Sequence, residues 1–331
     1  MRFLILGGTR FIGPHIVRRL LRLGHEVAVF HRGETAELPA AVRHITGDRR
    51  RLRGHIGDFA AFAADVVIDM IGFTQRDAED AIATFSGLAG RLVVVSSGDV
   101  YRAFGVVSRL QPGPVEPVPL SEHASLRDVF YLARQPGSRP GDELYDYEKI
   151  LVERAALAQS ALPATVLRLP MVYGPGDYQH RLYPYVKRMD DGRRIILLDE
   201  GLARWRSPRS YVEDVAIAIV LAATNPRAAG QIYNVSEPNS YTEAEWLERI
   251  AEAIGWTGQV VRVLQGRLPV AIDTDQDLVM ETSRIRAELS YREETPSEHA
   301  LLRTIEWERI NPPAPPLDYS PEDAVIAELE L

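Results

Sequence analysis

The chain holds residues whose types and spacing could do redox chemistry on a small molecule. Gly7 to Gly13 reads GGTRFIG and lies between an apolar run and a helical pattern. A pyrophosphate needs close backbone approach and a helix N-terminus whose free N–H groups and dipole face the anion. A glycine turn entering a helix supplies both. Gly7, Thr9, Arg10, Phe11, Ile12 and Gly13 are therefore candidate dinucleotide ligands. Further on, YDYEK places Tyr145 four residues before Lys149, at the start of an amphipathic stretch reaching about Ser160. On a helix such a pair shares one face, and a cation beside a phenol favours the ionised form needed for proton transfer. Tyr147 has no lysine four residues on and is the poorer candidate by that criterion. Ser97 ends the apolar run of VVVSSGDVY, where it is placed either to hydrogen-bond a substrate oxygen beside Tyr145 or to cap the next segment.

The elements that must position these groups follow from periodicity. Phe3 to Leu6 reads as a buried strand, and Ile12, Ile16, Val17, Leu20 and Leu21 recur at helical spacing. Gly24 suits a left-handed helix end, and Glu26 to Phe30 reads as the second strand. Val42 to Thr46, Val66 to Met70, Arg91 to Ser96, Thr165 to Leu169 and Gln231 to Val235 are further strand candidates, most with helical patterns between them. Alternation of this kind means a parallel sheet covered on both faces. The alternation lapses after about residue 170. Asp214 to Ala223 and Gln231 to Val235 then look like returns to the sheet. The expected organisation is a dinucleotide-binding domain over residues 1–178 plus about 207–236, and a substrate domain over about 179–206 plus 237–331. Thr242 with Glu245, and Thr295 with Pro296 and Glu298, mark later helix starts, and the tail with Pro312, Pro313, Pro315 and Pro316 reads as extended.

Composition narrows the function. At 331 residues with 46% hydrophobic and 25% charged, the chain can bury a substantial core. The absence of cysteine removes disulfides, thiolate metal sites and thiol nucleophiles together. A net charge of −8 is the wrong sign for gripping phosphate backbones. No apolar stretch is long enough for a membrane helix, and the N-terminal run breaks into glycines too early for a signal peptide, so a cytoplasmic home is expected. No histidine spacing suggests a metal. Asp273, Asp275 and Asp277 imitate a calcium loop, but Leu278 stands where glycine is needed and Arg284 where the bidentate glutamate is needed.

The glycine turn, SSGDVY, YDYEK, RLPMVYGPGD (168–177), YVEDVA (211–216) and GQIYNVS (230–236) occur in one order over nearly the whole chain. Taken together they resemble the extended branch of the short-chain dehydrogenase/reductase superfamily, which includes nucleotide-sugar epimerases and dehydratases. The resemblance implies an α/β fold, a Rossmann-type doubly wound parallel sheet with a smaller C-terminal α+β substrate domain. It also implies an NAD(P)-dependent epimerase or reductase acting on a hydroxyl or carbonyl carbon of a sugar-like or nucleotide-sugar substrate. Ser97, Tyr145 and Lys149 would be its catalytic triad, and Met70, Ile71, Gly72, Ser96 and Pro170 would line the cofactor with Tyr145 and Lys149. The GGTRFIG variant further resembles an atypical subgroup that includes the chloroplast stem-loop-binding proteins, which makes RNA binding, or a non-catalytic cofactor sensor, the rival reading. The acidic balance and the intact Ser97, Tyr145 and Lys149 weigh against it. The expected partner is a small molecule, with a second copy of the chain as one option.

Departures from the sugar-nucleotide pattern bear on the substrate. Met171 stands where such relatives carry asparagine, and an amide donor is lost there. Gly98 and Asp99 replace the Asp–Glu pair of the sugar 4,6-dehydratases, which disfavours dehydration. The long segment between Ser97 and Tyr145 suggests a loop over the site. Arg206 and Arg209 both lie near the position of the family's substrate-phosphate arginine, and alignment does not choose between them. At the end of the second strand, where NAD-specific members place a carboxylate, stand His31 and Arg32; with Arg10 they favour NADP, NAD being the other option. Asp48 and Arg49 would line the adenine side.

Overall fold

A computed structural model of the chain describes residues 1–33, 38–142 and 144–330. The first half alternates strand and helix: β1 (Arg2–Leu6), α1 (Ile12–Arg22), β2 (Glu26–His31), β3 (Arg43–Thr46), α2 (Ile56–Phe62), β4 (Val66–Asp69), α3 (Gln75–Phe85), β5 (Arg91–Ser97), α4 (Arg102–Val107), α5 (Lys149–Leu157) and β6 (Ala164–Leu169). The second half is β7 (Met171–Tyr173), α6 (Tyr183–Asp190), β8 (Ile195–Asp199), α7 (Glu200–Arg204), β9 (Arg209–Tyr211), α8 (Val212–Thr224), β10 (Ile232–Asn234), α9 (Glu243–Ile254), β11 (Gln259–Val263), α10 (Ser283–Leu289), α11 (Ser297–Ile310) and α12 (Ser320–Glu328).

A 7-stranded sheet in the order β10-β6-β5-β4-β1-β2-β3 forms the centre, with every pair parallel. Parallel strands bury both faces, which is why β1, β4 and β6 are nearly unbroken apolar runs. One face packs Phe3, Ile5, Val29 and Ile68 against Ile16, Val17 and Leu20 of α1 and Val215 and Ile219 of α8. The other packs Leu4, Leu6, Val67 and Val94 against Phe59, Ala81, Phe85 and Val152. The sheet is the expected Rossmann-type one, and every strand read from the sequence is present. Outside it, β7 pairs with β9 and β8 with β11. Among the described residues no helix is long and apolar enough to cross a membrane.

Some element boundaries differ from expectation. The helix carrying Lys149 begins at Lys149 itself, so Tyr145 lies in the preceding turn and shares no helix face with it. The cause is tertiary. Glu148 caps the helix through Ile150 N at 3.0 Å, accepts from Tyr131 N at 2.7 Å, and is clamped by Arg127 at 3.0 Å with both charged side chains at 0% exposure. The Thr242–Glu245 capping box forms, but α11 starts after Pro296 with no side-chain cap. There the backbone N–H groups of Glu294 and Thr295 donate to Asp214 of α8, at 2.9 and 3.3 Å. The proline-rich tail is followed by α12, anchored by buried Glu322 on Leu197 N and Arg188. The segment between β5 and α5 is tied down over much of its length: Leu120 N donates to Val279 O at 2.7 Å, and Leu120 packs with Val100, Tyr101 and Met280.

Candidate active site

Because the strands are parallel, the ends of β1, β4 and β5 all open on one edge of the sheet. After β1, Gly7 has φ +83, and a Cβ on it would lie 2.4 Å from the Ile71 side chain. A Cβ on Gly13 would lie 2.5 Å from the Gly8 backbone, so helix and turn touch only because residue 13 is glycine. α1 has no side-chain cap and no acidic residue in its first turn. Its N-terminal N–H groups and dipole keep their capacity for an anion, so this turn fits a pyrophosphate.

Contacts run from this turn to the second constellation. Ile71, against Gly7, precedes Gly72, whose carbonyl accepts from Lys149 Nζ at 2.8 Å; Val95 O of β5 accepts from the same ammonium at 2.7 Å. Burial pushes Lys149 down to about 8, against the attraction of Asp69 and Asp99. The Tyr147 hydroxyl donates to Asp99 Oδ2 at 2.7 Å, and Lys149 Nζ lies 5.8 Å from the Tyr147 ring centroid. Burial and the neighbouring Asp99 carboxylate hold the Tyr147 phenol well above its ordinary value, and burial raises Asp99. Ser97 Oγ accepts from Asp99 N at 3.2 Å, capping the short 3₁₀ turn Gly98–Val100. Tyr145 is half-buried, with the Arg134 guanidinium 4.8 Å from its ring. Ser97, Asp99, Tyr147 and Lys149 therefore converge, and the phenol in the cluster is the one that spacing had ranked second. Tyr147 and Asp99 carry no sequence signal that separates them from a solvated pair.

The cofactor candidates divide. Met70 and Ile71 are partly exposed beyond β4, with Gly72 buried after them, and Pro170 joins β6 to β7. The Ser96 hydroxyl, by contrast, donates to Glu153 Oε1 at 2.5 Å, and Glu153 holds Arg168. Arg49 is a correction of the same kind. It grips Asp69 through paired 2.7 Å bonds and also binds the Asp77 carbonyl at 2.8 Å, so it ties β4 and α3 together. A buried guanidinium needs such partners, and two acids within reach outcompete a surface role. Asp48 caps the next turn through Arg50 N at 2.9 Å and pairs with the Arg50 side chain. Gly33 N donates to His31 Nδ1 at 3.0 Å, which leaves Nε2 to donate to His44 Nδ1 at 2.9 Å. Arg10 is exposed at the glycine turn.

Beyond Pro170, a cavity of about 200 Å³ is lined by Met171, Tyr173, Arg181, Leu182, Arg209, Glu243 and Trp246. Of the two arginines that alignment left open, Arg209 reaches it. Arg209 pairs with Glu243, stacks 4.8 Å over the Trp246 ring, and has Nη1 buried without a partner. Arg206 is exposed. A larger cleft of about 920 Å³, lined by residues of α1, α8, Pro39, Arg303 of α11 and the segment leading into that helix, contains none of the candidate catalytic or cofactor groups.

A dinucleotide cradle on a Rossmann-type sheet, beside a buried lysine, a phenol and a serine, is the layout of a nicotinamide-dependent enzyme. The comparisons agree: the family model described as "NAD dependent epimerase/dehydratase family" matches residues 3–236, and the chain belongs to that family of enzymes. A 2′-dehydrokanamycin reductase of Streptomyces kanamyceticus is 30% identical over 294 residues, 86% of this chain and 75% of that protein. A chloroplast stem-loop binding protein of 41 kDa b of Arabidopsis thaliana is 25% identical over 249 residues, 71% of this chain and 58% of that protein. The structure of a dTDP-glucose 4,6-dehydratase from Bacillus anthracis in complex with NAD shares the fold, with a TM-score of 0.68, 20% identity, and coverage of 94% of this chain and 97% of that one.

Proposed function

We propose that this protein is an NAD(P)-dependent oxidoreductase or epimerase acting at a hydroxyl or carbonyl carbon of a sugar-like or nucleotide-sugar substrate. The observation that carries the reading is the unbroken contact from the glycine turn through Ile71 and Gly72 to Lys149, with Tyr147 and Ser97 beside it. A bound nicotinamide would exchange a hydride with the substrate carbon. Gly7 to Gly13 would hold its pyrophosphate, and the ammonium of Lys149 would keep its remaining donor for a ribose hydroxyl. Ser97 would hold the substrate oxygen. The proton-transferring phenol is then a tyrosine of YDYEK: Tyr145 by motif spacing, Tyr147 by contact with Asp99, and we assign the role to Tyr147. The Arg209 cavity would seat the part of the substrate beyond the reacting carbon, offering an anionic group the unpartnered Nη1 of Arg209 with Arg181 nearby, among Met171, Leu182, Tyr173 and Trp246, with Glu243 already paired to Arg209. The division into a cofactor domain and a substrate domain keeps the bounds given above, with this cavity at their border, lined by Met171, Tyr173 and Arg209 from one and Arg181, Leu182, Glu243 and Trp246 from the other. NADP is the favoured cofactor, because no carboxylate ends β2 and the exposed Arg10 and Arg32, one in the glycine turn and one just past β2, would flank a 2′-phosphate.

Oxidation of NADPH and NADH is measured at 340 nm with a 2′-keto aminoglycoside and a nucleoside-diphosphate 4-keto sugar as carbonyl probes. Tyr147→Phe is expected to lower turnover ~10²-fold or more, as for loss of a general acid. Tyr145→Phe is expected to lower it far less; the reverse order returns the role to Tyr145. By calorimetry, NADPH is expected to bind more tightly than NADH, and Arg10→Ala and Arg32→Ala are each expected to weaken NADPH roughly tenfold, the value of a charge-assisted hydrogen bond. Equal affinities overturn the cofactor choice. Failure to bind either nucleotide overturns the whole reading.

A further inference from the structure

Resting on the reading just given and concerning the same site, we propose that Asp99 is its proton reservoir: a buried carboxylic acid that passes its proton through the Tyr147 hydroxyl to the substrate oxygen. The geometry is that of a relay. Tyr147 Oη lies 2.7 Å from Asp99 Oδ2, while Asp99 Oδ1 is buried with no hydrogen-bond partner. A carboxylate with one bare oxygen out of water costs several kcal/mol, roughly, and taking up a proton removes most of that cost. With the carboxyl protonated, the same contact runs in reverse: Asp99 donates to the phenol oxygen, and the phenol proton is free to point at a ligand.

The charged and titratable groups that face Asp99 leave this possible. Arg127, from the connecting segment, donates to the Asp99 backbone carbonyl, and its guanidinium is clamped to Glu148. Lys149 of α5 spends donors on Gly72 O and Val95 O. Ser97 of β5 accepts from Asp99 N, and the hydroxyls of Ser97 and Tyr147 both favour the carboxylate, against the larger effect of burial. No cation bonds the carboxyl group directly among the described residues. The direction in which burial moves Asp99, upward, agrees.

In the reductive direction the step balances as follows. As the carbonyl carbon takes a hydride from the dihydronicotinamide, the C=O π pair moves to oxygen, which takes the Tyr147 proton. The phenol oxygen takes the Asp99 proton. A C–H and an O–H bond form on the substrate, the carbonyl is reduced, the dihydronicotinamide is oxidised, and Asp99 ends as a carboxylate that water reprotonates after product leaves. Tyr147 returns to its starting form without passing through a stable phenolate, which its raised pKa would disfavour.

The test uses protein carrying [4-¹³C]aspartate, alone and saturated with NADPH. The carboxyl signal that Asp99→Asn removes is expected to titrate above the ordinary carboxylate range. Tyr147→Phe, by deleting a donor to the carboxylate, moves it further up, and this shift assigns the signal even where Asp99→Asn does not fold. Absorbance at 295 nm should show one phenol titrating at least a unit lower in Asp99→Asn. With the carbonyl probes, the parent's reduction rate falls as pH rises through the Asp99 pKa. In Asp99→Asn, kcat drops tenfold or more with an unchanged KM for NADPH, and that limb disappears. A carboxyl titrating in the ordinary range, or a variant with the parent's rate and pH profile, overturns the relay. Absence of NADPH binding overturns the functional reading instead, and the carboxyl titration separates the two because it needs no substrate.

Discussion

Lys149 has three N–H donors, of which Gly72 O and Val95 O take two, so its placement is enforced before any ligand arrives. Its removal has two separable consequences. Lys149→Met strips two buried carbonyls of their donor and should cost ~2–4 kcal/mol by denaturant unfolding. It should also weaken NADPH binding, and the pH dependence identifies the cause. Since burial brings the ammonium down to about 8, the parent's dissociation constant should rise as pH climbs past 8 and the charge is lost. Lys149→Met should bind equally weakly from pH 6 to pH 10. A parent affinity that is flat across that range would remove the ammonium from the cofactor site. At this scale the sequence was half legible. Lysine and serine of the cluster stood out by spacing and by strand position. The phenol that joins them in the fold did not, because spacing within YDYEK favours Tyr145, whereas the fold turns the hydroxyl of Tyr147 onto Asp99; the role we propose for it follows that contact.

Among the elements, the first βα unit shows why two glycines that look alike in sequence do different work. At Gly24 a Cβ would meet nothing within 4 Å, and only its φ of +78 resists a side chain. Gly24→Ala should therefore cost ~1–2 kcal/mol, the left-handed penalty, and leave nucleotide affinity unchanged. At Gly13 the added Cβ would meet Gly8 backbone atoms at 2.5 to 2.6 Å, which no rotamer change relieves. Gly13→Ala should push α1 off the turn, lower stability by ~1–3 kcal/mol as overpacking does, and abolish measurable NADPH binding. Differential scanning calorimetry and nucleotide titration on both variants check the contrast; equal loss of affinity at Gly24 would mean that the turn is not specifically built for the anion.

Over the whole molecule, buried carboxyls join the sheet to the elements that follow it. Glu237, just past β10, accepts from the Tyr173 hydroxyl of β7 at 3.0 Å and from Tyr211 N at the end of β9 at 3.2 Å. Asp214 of α8 accepts from the backbone leading into α11. Burial pushes Glu237 up to about 7 and Asp214 up to about 6. A carboxyl whose folded pKa is raised contributes fully below its unfolded value near 4, and that contribution is lost as pH rises through the folded value. Their part of the stability should therefore fade between about pH 4 and pH 7. Glu237→Gln keeps an acceptor for both partners without the charge. Its melting temperature relative to the parent should rise steadily from pH 5 to pH 8, by an amount equivalent to about 2 kcal/mol at the upper end. A difference independent of pH would show that Glu237 titrates normally.

The sequence by itself determined the parallel sheet, its strands, the glycine turn before α1 and the capping box of α9, because each is written in a short local pattern: an unbroken apolar run, a 3.6-residue period, a glycine where a backbone must approach, a hydroxyl three residues before an acid. Only the tertiary structure decided that α5 begins at Lys149, since Glu148 is clamped by Arg127 from a segment far away in sequence. It decided as well that Arg49 pairs with Asp69, that Ser96 donates to Glu153, and that Arg209 rather than Arg206 faces a cavity. These are choices among polar groups of the same type. A buried charge takes whichever partner relieves its desolvation, and that partner comes from another element, at a distance along the chain that no local period encodes.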